Sequence, residues 1–159
     1  MHNVNTLTPS RTVKDEARMT DNQMTHFFQL SEADENLAAI LPGKSDTGKA
    51  RMFGPLEFML ACLLADLVAA DFKTPLAARI VRRVKDAHMA EPKVEQWSVV
   101  HTANGNVSTL PYGQAELQTG FISGSRLSFA LLIDLKTYAD RVERAIEADK
   151  AVIGAGNAA

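Results

Sequence analysis

The sequence predicts an α+β fold: a helical module over residues 20–92, then a β-hairpin, a further strand and a closing helix over residues 93–152. Three observations carry this expectation. Between Thr20 and Ala90 apolar residues recur at helical spacing behind helix-start signals. Asn104-Gly105, set between two β-like runs, is the strongest short-range hairpin signal a sequence offers. Leu127, Phe129, Leu131 and Ile133 then fall on one side of a two-residue alternation, the period of a half-buried strand.

Taken in order, residues 1–19 are polar with little periodicity and read as a disordered tail. Thr20 and Gln23 have capping-box spacing, and Met24, Phe27 and Phe28 supply the apolar face behind them. After a tight turn at Leu30 and Ser31, Ser31 with Asp34 repeats the start signal. Leu37, Ile40 and Leu41 follow, and Pro42 stops this second helix. Gly43 to Phe53 is a polar, wing-like loop. Gly54-Pro55 opens a third helix, with proline at its favoured first position. Leu56, Met59, Leu60, Leu63, Leu64 and Leu67 make it apolar nearly all round, the pattern of a central, buried helix.

Asp71 to Lys73 is a break, after which Thr74 caps and Pro75 opens a fourth helix. Its apolar face is Leu76, Ile80, Val81 and Val84, with Arg79, Arg82, Arg83 and Lys85 mostly opposite. Trp97 to His101 and Asn106 to Leu110 are the hairpin strands, and Arg126 to Asp134 is a third strand. A last helix runs from about Leu135 to Lys150, with Tyr138, Val142 and Ile146 four apart on one face. Residues 153–159, rich in Gly and Ala, read as a flexible tail.

Composition narrows the function classes. The chain has 159 residues, 46% hydrophobic and 23% charged, which suits one domain with a real core. Seventeen basic residues against nineteen acidic give a net charge of −2, so any nucleic-acid contact needs a local basic face rather than a whole-molecule field. A lone cysteine, Cys62, sits in an apolar run and reads as a small buried hydrophobe, not part of a disulfide framework. The first eighteen residues lack an apolar signal segment, and the run from Met59 to Ala70 is broken by Asp66 and too short to span a bilayer. A cytoplasmic protein without membrane contact is expected.

Gly43 to Ala50 approaches the phosphate loop G-x-x-x-x-G-K-[ST], in which backbone N–H groups wrap phosphates. Its last position, which must hold magnesium, is Ala50, and Gly54-Pro55 interrupts the helix that must follow. A polar loop with two lysines is the expectation. His2, His26, His88 and His101 show no metal spacing. Ser123 lies in Gly120 to Gly124 without the elbow pattern of a nucleophile. No catalytic constellation, metal or cofactor is therefore expected.

The order of elements in the first half does resemble a family. Gln29-Leu30-Ser31-Glu32, Ile40-Leu41-Pro42-Gly43, Arg51-Met52-Phe53 and the helix from Pro55 resemble the winged helix-turn-helix of MerR-type transcription regulators, over residues 20–90. The resemblance implies a DNA-binding regulator whose second helix, Glu32 to Ile40 here, enters the major groove. It implies Lys44, Lys49 and Arg51 as wing contacts to phosphate and Phe53 as the wing's anchor in the core. Asn36 is the one base-reading side chain in that helix, able to pair with adenine. The rest of its exposed chemistry is Glu32, Asp34 and Glu35, and carboxylates are repelled by phosphate. A basic surface of Lys73, Arg79, Arg82, Arg83 and Lys85 can hold the duplex backbone instead. The alternative is a protein-interaction module, an inhibitor or adaptor that uses the acidic helix against a basic partner. Double-stranded DNA, a protein partner and a second copy of the chain are the expected partners. The homodimer would form through Leu135, Tyr138, Val142 and Ile146, or that stripe packs on the chain's own sheet.

Overall fold

A computed structural model describes residues 6–44, 51–113 and 115–157, and over them the chain is α+β as expected. Strand β1 (Thr8–Pro9) leads into helix α1 (Ser10–Ala17), followed by α2 (Asp21–Leu30) and α3 (Glu35–Ile40). Strand β2 (Met52–Phe53) precedes two long helices, α4 (Pro55–Ala69) and α5 (Thr74–Ala90). The second half holds β3 (Gln96–Thr102), β4 (Val107–Pro111), β5 (Phe121–Ile122), β6 (Ser125–Asp134) and α6 (Leu135–Asn157). A short 3-10 turn occupies Ala115–Thr119.

The core is organised around α4. Every side chain from Phe58 to Ala65 is buried, so this helix needs neighbours on all sides. Helices α1, α5 and α6 pack directly on it, and α3 and β2 close its remaining surface. That demand explains the main departure from the sequence expectation. Residues 8–17 are not a disordered tail but β1 and α1, with Val13 fully buried and Ala17 and Met19 beside it. Val13 and Ala17 are too sparse a pattern to announce a helix, yet they are what fits against α4. At the other end, α6 runs on to Asn157, so residues 153–157 are helical rather than a flexible tail.

The helix starts follow the capping rules with small shifts. Thr20 Oγ1 accepts from the Gln23 N–H (3.1 Å), as its spacing predicts. Asp34, not Ser31, caps α3, its Oδ1 accepting from Asn36 N–H (2.8 Å) and Leu37 N–H (3.0 Å). Pro55 opens α4, with Glu57 Oε1 accepting from Gly54 N–H (3.0 Å). Lys73 takes the N-cap position of α5 without a side-chain bond, so Thr74 is its first residue rather than its cap.

The sheet is antiparallel in the order β4-β3-β6-β5. Trp97, Val99, Val107 and Ile133 face the helices and join the core. Asn104-Gly105 does turn the β3–β4 hairpin, but through a longer connection than a two-residue loop: only Gly105 has positive φ (+84°), and its N–H donates to Thr102 O (2.9 Å). Ser123 and Gly124 make the tighter β5–β6 turn, both at positive φ (+48° and +81°). The β6 alternation holds for Phe129, Leu131 and Ile133. The register then slips between His101 and Thr102, and Leu127 pairs with Thr102 on the opposite face.

One polar cluster crosses this core. Tyr138 O–H donates to Asp66 Oδ2 (2.7 Å), and Arg141 Nη1 donates to the same oxygen (3.2 Å). Arg141 also reaches Glu16, through Nε to Oε1 (3.3 Å) and Nη2 to the backbone oxygen (3.0 Å). One guanidinium thus ties α1, α4 and α6 together. Nearby, burial pushes the Cys62 thiol up to about 12, and burial with the Asp66 bond raises Tyr138 above the usual phenol range.

Two outcomes follow. Val13→Ala should lower the unfolding free energy by about 1–2 kcal/mol in urea titrations, because the site is packed rather than solvated. Stability should also fall as pH rises from the ordinary thiol value near 8.5 toward 12. There the unfolded chain releases the Cys62 proton and the folded chain holds it. Denaturation midpoints across that range, and a thiol reagent that labels Cys62 only on unfolding, check this.

Candidate nucleic-acid interface

Helices α2 and α3 are joined by the short turn of residues 31–34. Ser31 Oγ donates to Phe28 O (2.6 Å) at the end of α2, and residues 31–34 turn the chain into α3. Leu37 and Ile40 are buried, and α3 packs on α5. Lys85 Nζ donates to Ala39 O, fixing the C-terminal end of α3 to α5. The outward side of α3 carries Glu35 and Ala38, with Asn36 half-buried. This helix is shorter than the expected Glu32 to Ile40, because Asp34 captures the first N–H groups and leaves Glu32 in the turn.

The loop that follows is closed at its base. Arg51 lies with its guanidinium carbon 3.9 Å from the centre of the Phe28 ring, and Nη1 donates to Pro42 O (3.4 Å). Phe53 is fully buried and meets Phe28 edge-on, ring centres 6.0 Å apart, so it does anchor the loop in the core. Strand β2 pairs with β1, and Ser10 Oγ donates to Arg51 O (2.9 Å). Arg51 is therefore a clasp between the two ends of the loop, which corrects its expected role as a free phosphate contact. Lys44 pairs with Glu32 (2.8 Å), and this exposed contact holds the Glu32 carboxyl below its usual range. Lys49 lies outside the described residues.

The basic residues of α5 divide. Arg79 Nη2 donates to Gly105 O (2.7 Å), tying α5 to the β3–β4 turn. Arg82 lies 4.0 Å from Asp86 one turn on, and Arg83 is exposed. Lys73 is exposed at the start of the helix, and Lys85 is held against α3. Arg79, Arg82 and Arg83 share the face opposite buried Ala77, Val81 and Val84. Lys85 does not share that face, and Arg51 is turned inward. The basic surface expected as one patch is thus split between structural bonds and an outward strip.

The expected dimer stripe is an internal one. Leu135, Val142 and Ile146 are buried in the core, and Tyr138 is half-buried against Asp66. They cover α4, whose apolar surface has first claim on them, so this stripe is not available to a second copy.

The remaining candidates resolve simply. A phosphate loop at residues 43–50 needs a strand before Gly43 and a helix after Lys49. The described flanks are the end of α3 and strand β2 instead; residues 45–50 themselves lie outside the described set. Ser123 is a hairpin-turn residue. His26 is exposed, and His101 stacks on Phe129 with ring centres 4.8 Å apart. No group of three or more potential metal ligands occurs among the described residues. A cavity of about 650 Å³ lies between the start of α4, the end of α5 and the start of α6, walled by Leu56, Met59, Val94, Leu135 and Val142. His88 also lines it, with a buried Nδ1 that has no hydrogen-bond partner among the described residues. Sequence reasoning gave no sign of this concavity, because its walls come from elements distant in the chain. Nor did it find the part played by Phe28 and Pro42 in holding Arg51.

Neither a scan of protein-family models nor a search of curated proteins finds a match to this chain.

Arg51→Lys should loosen the loop base, since an ammonium cannot both cover Phe28 and reach Pro42 in the planar arginine geometry. Limited proteolysis should cut faster between residues 43 and 50, with the helical circular dichroism unchanged and a stability loss of about 1 kcal/mol.

Proposed function

We propose that this chain is a non-enzymatic, DNA-binding transcription regulator of the winged helix-turn-helix type, acting in the cytoplasm. The observation that carries the reading is the pairing of a helix-turn-helix with a loop fixed at its base beside it, α3 being locked to α5 through Leu37, Ile40 and Lys85. A recognition helix must be held rigidly by its neighbours to read base edges, and α3 is held in that way. Its N-terminal turn offers Asn36 for an adenine. Lys44, Lys49, Arg82 and Arg83, with Lys73, supply phosphate contacts. Lys44 exchanges Glu32 for phosphate on binding, which adds to the salt sensitivity of the complex. No helix of the described residues is long and apolar enough to cross a membrane.

A second reading has its own observation. Glu32 and Glu35 are exposed at the start of α3, and the nearest wing lysine is already paired to Glu32. A surface of that sign suits a basic protein partner, in which case the helix-turn-helix is an interaction frame.

A salt series separates the two. The DNA reading expects binding to a fragment from around the protein's own gene that weakens steeply as salt rises. Arg82→Glu with Arg83→Glu should lower the log–log salt slope by about two and weaken all sequences alike. Asn36→Ala should relax preference at a single base pair, by about 1–3 kcal/mol of discrimination. Absence of duplex binding at low salt would sink the reading and favour the acidic-face partner.

A further inference from the structure

Strand β6 leaves an edge open. Strand β5 covers only its start, pairing Phe121 with Arg126 and Ile122 with Ser125, and Leu127 N–H donates to Gly120 O. Beyond the slip in register at Ser128, the outer side of Phe129 to Asp134 has no strand partner among the described residues. The hydrogen-bonding alternation can be followed from two bonds at the end of the sheet. Leu135 N–H donates to Glu95 O, and Tyr112 N–H donates to Gln96 O. Odd residues of β6 therefore bond inward to β3, and the N–H and C=O groups of Ala130, Leu132 and Asp134 point outward.

Natural proteins blunt such edges with lysine, proline, inward charges or a covering segment. Between Phe129 and Ile133 this edge has none of these residues. Ala130 is exposed, and Leu132, at 55% exposure, is among the most exposed large apolar side chains of the described chain. The two ends of the strand carry opposite charges. Arg126 is exposed and has no acidic partner among the described residues. Asp134 accepts from Lys136 N–H and from the Gln96 amide, but its carboxylate forms no ion pair among the described residues.

We propose that this edge is the homodimer interface: β6 pairs antiparallel with β6 of a second copy about a two-fold axis at Leu131. That register sets Ala130 against Leu132, Phe129 against Ile133 and Ser128 against Asp134 across the axis. The outward groups of Ala130 and Leu132 then bond reciprocally. Asp134 of each strand then lies diagonally across from Arg126 of the other, two residues along, with Lys136 directly opposite Arg126, an Asp134–Arg126 approach that an in-line parallel pairing would not make. The small residue faces the large one, so the outer faces fit without a gap. The two sheets join into one through β4-β3-β6 of each copy. The half-buried flanks of Phe129 and Leu131 are covered in the process. This interface is independent of the DNA reading, and its test uses no nucleic acid.

Sedimentation equilibrium of the full chain at micromolar concentration should give twice the chain mass. Ala130→Pro removes an outward donor while sparing the bonds to β3, and Leu132→Lys puts a charge into the centre of the open edge. Each should shift the chain to monomer with its circular dichroism retained. Leu131→Cys should cross-link to its own counterpart under mild oxidation, since directly opposed residues in a non-hydrogen-bonded pair lie about 4.5 Å apart between Cα atoms. Ser128→Cys should not, being roughly 20 Å from its counterpart in this register; Cys62 is buried and does not interfere. A monomeric wild type overturns the proposal. So does a dimer that survives both substitutions, or one that cross-links through residue 128 and not through 131.

Discussion

An apolar helix with no polar face sets the terms for this fold. Helix α4 buries every side chain from Phe58 to Ala65, and no single neighbour can cover a cylinder on all sides. The chain meets that demand with segments from both ends. Helix α1 comes from the N-terminal stretch, α5 from the next segment, and α6 from the far end. Burial of this kind is the main source of stability in a domain of this size, and it draws in residues whose own sequence gives little sign of structure. Val13 and the stripe Leu135, Val142 and Ile146 belong to α4 before they belong to any partner.

The charged residues that lie near α4 are organised by the same demand. Asp66 sits toward the C-terminal end of the helix, half-exposed, and it is met there by Tyr138 and Arg141 from α6. Arg141 then bonds Glu16 of α1. Because Asp66 and Glu16 keep substantial contact with water, these bonds contribute modestly to stability. Their larger effect is on geometry. A planar guanidinium with several donors allows few relative positions of three helices, where apolar packing alone would tolerate sliding.

The same demand for bonded polar groups shapes the surface around α2 and α3. Arg51, Arg79 and Lys85 would each count as basic residues available to a polyanion. Each instead donates to a backbone carbonyl: Pro42, Gly105 and Ala39 respectively. They close a loop base, pin a hairpin and fix α3. Among the described residues, Arg82, Arg83, Lys73 and the Lys44–Glu32 pair remain outward, as does the carboxylate of Glu35. The face is thus of mixed sign, and the proposed DNA contact rests on few phosphate ligands. Such a binder gains most from two copies, each adding its own set of contacts.

Much of the local structure was legible from residue order. The helix starting at Pro55, the cap at Thr20, the turn at Asn104-Gly105 and the alternation of Phe129, Leu131 and Ile133 all rest on short-range rules of capping, turn chemistry and periodicity. Those rules act within a few residues, so a sequence carries them openly. Helix α1, the pairing of β1 with β2, the inward turn of Arg51, the internal stripe of α6 and the unpaired edge of β6 were not legible. Each depends on which surface a segment meets across a long separation in the chain. Val13 is ordered by α4, Arg51 by Phe28 and Pro42, and the open side of β6 by the shortness of β5. The sequence by itself determined the α+β class and the places where helices and strands begin. Only the tertiary structure decided which apolar faces are used up inside and which polar groups are left free, because burial and hydrogen-bond satisfaction are properties of the assembled neighbours.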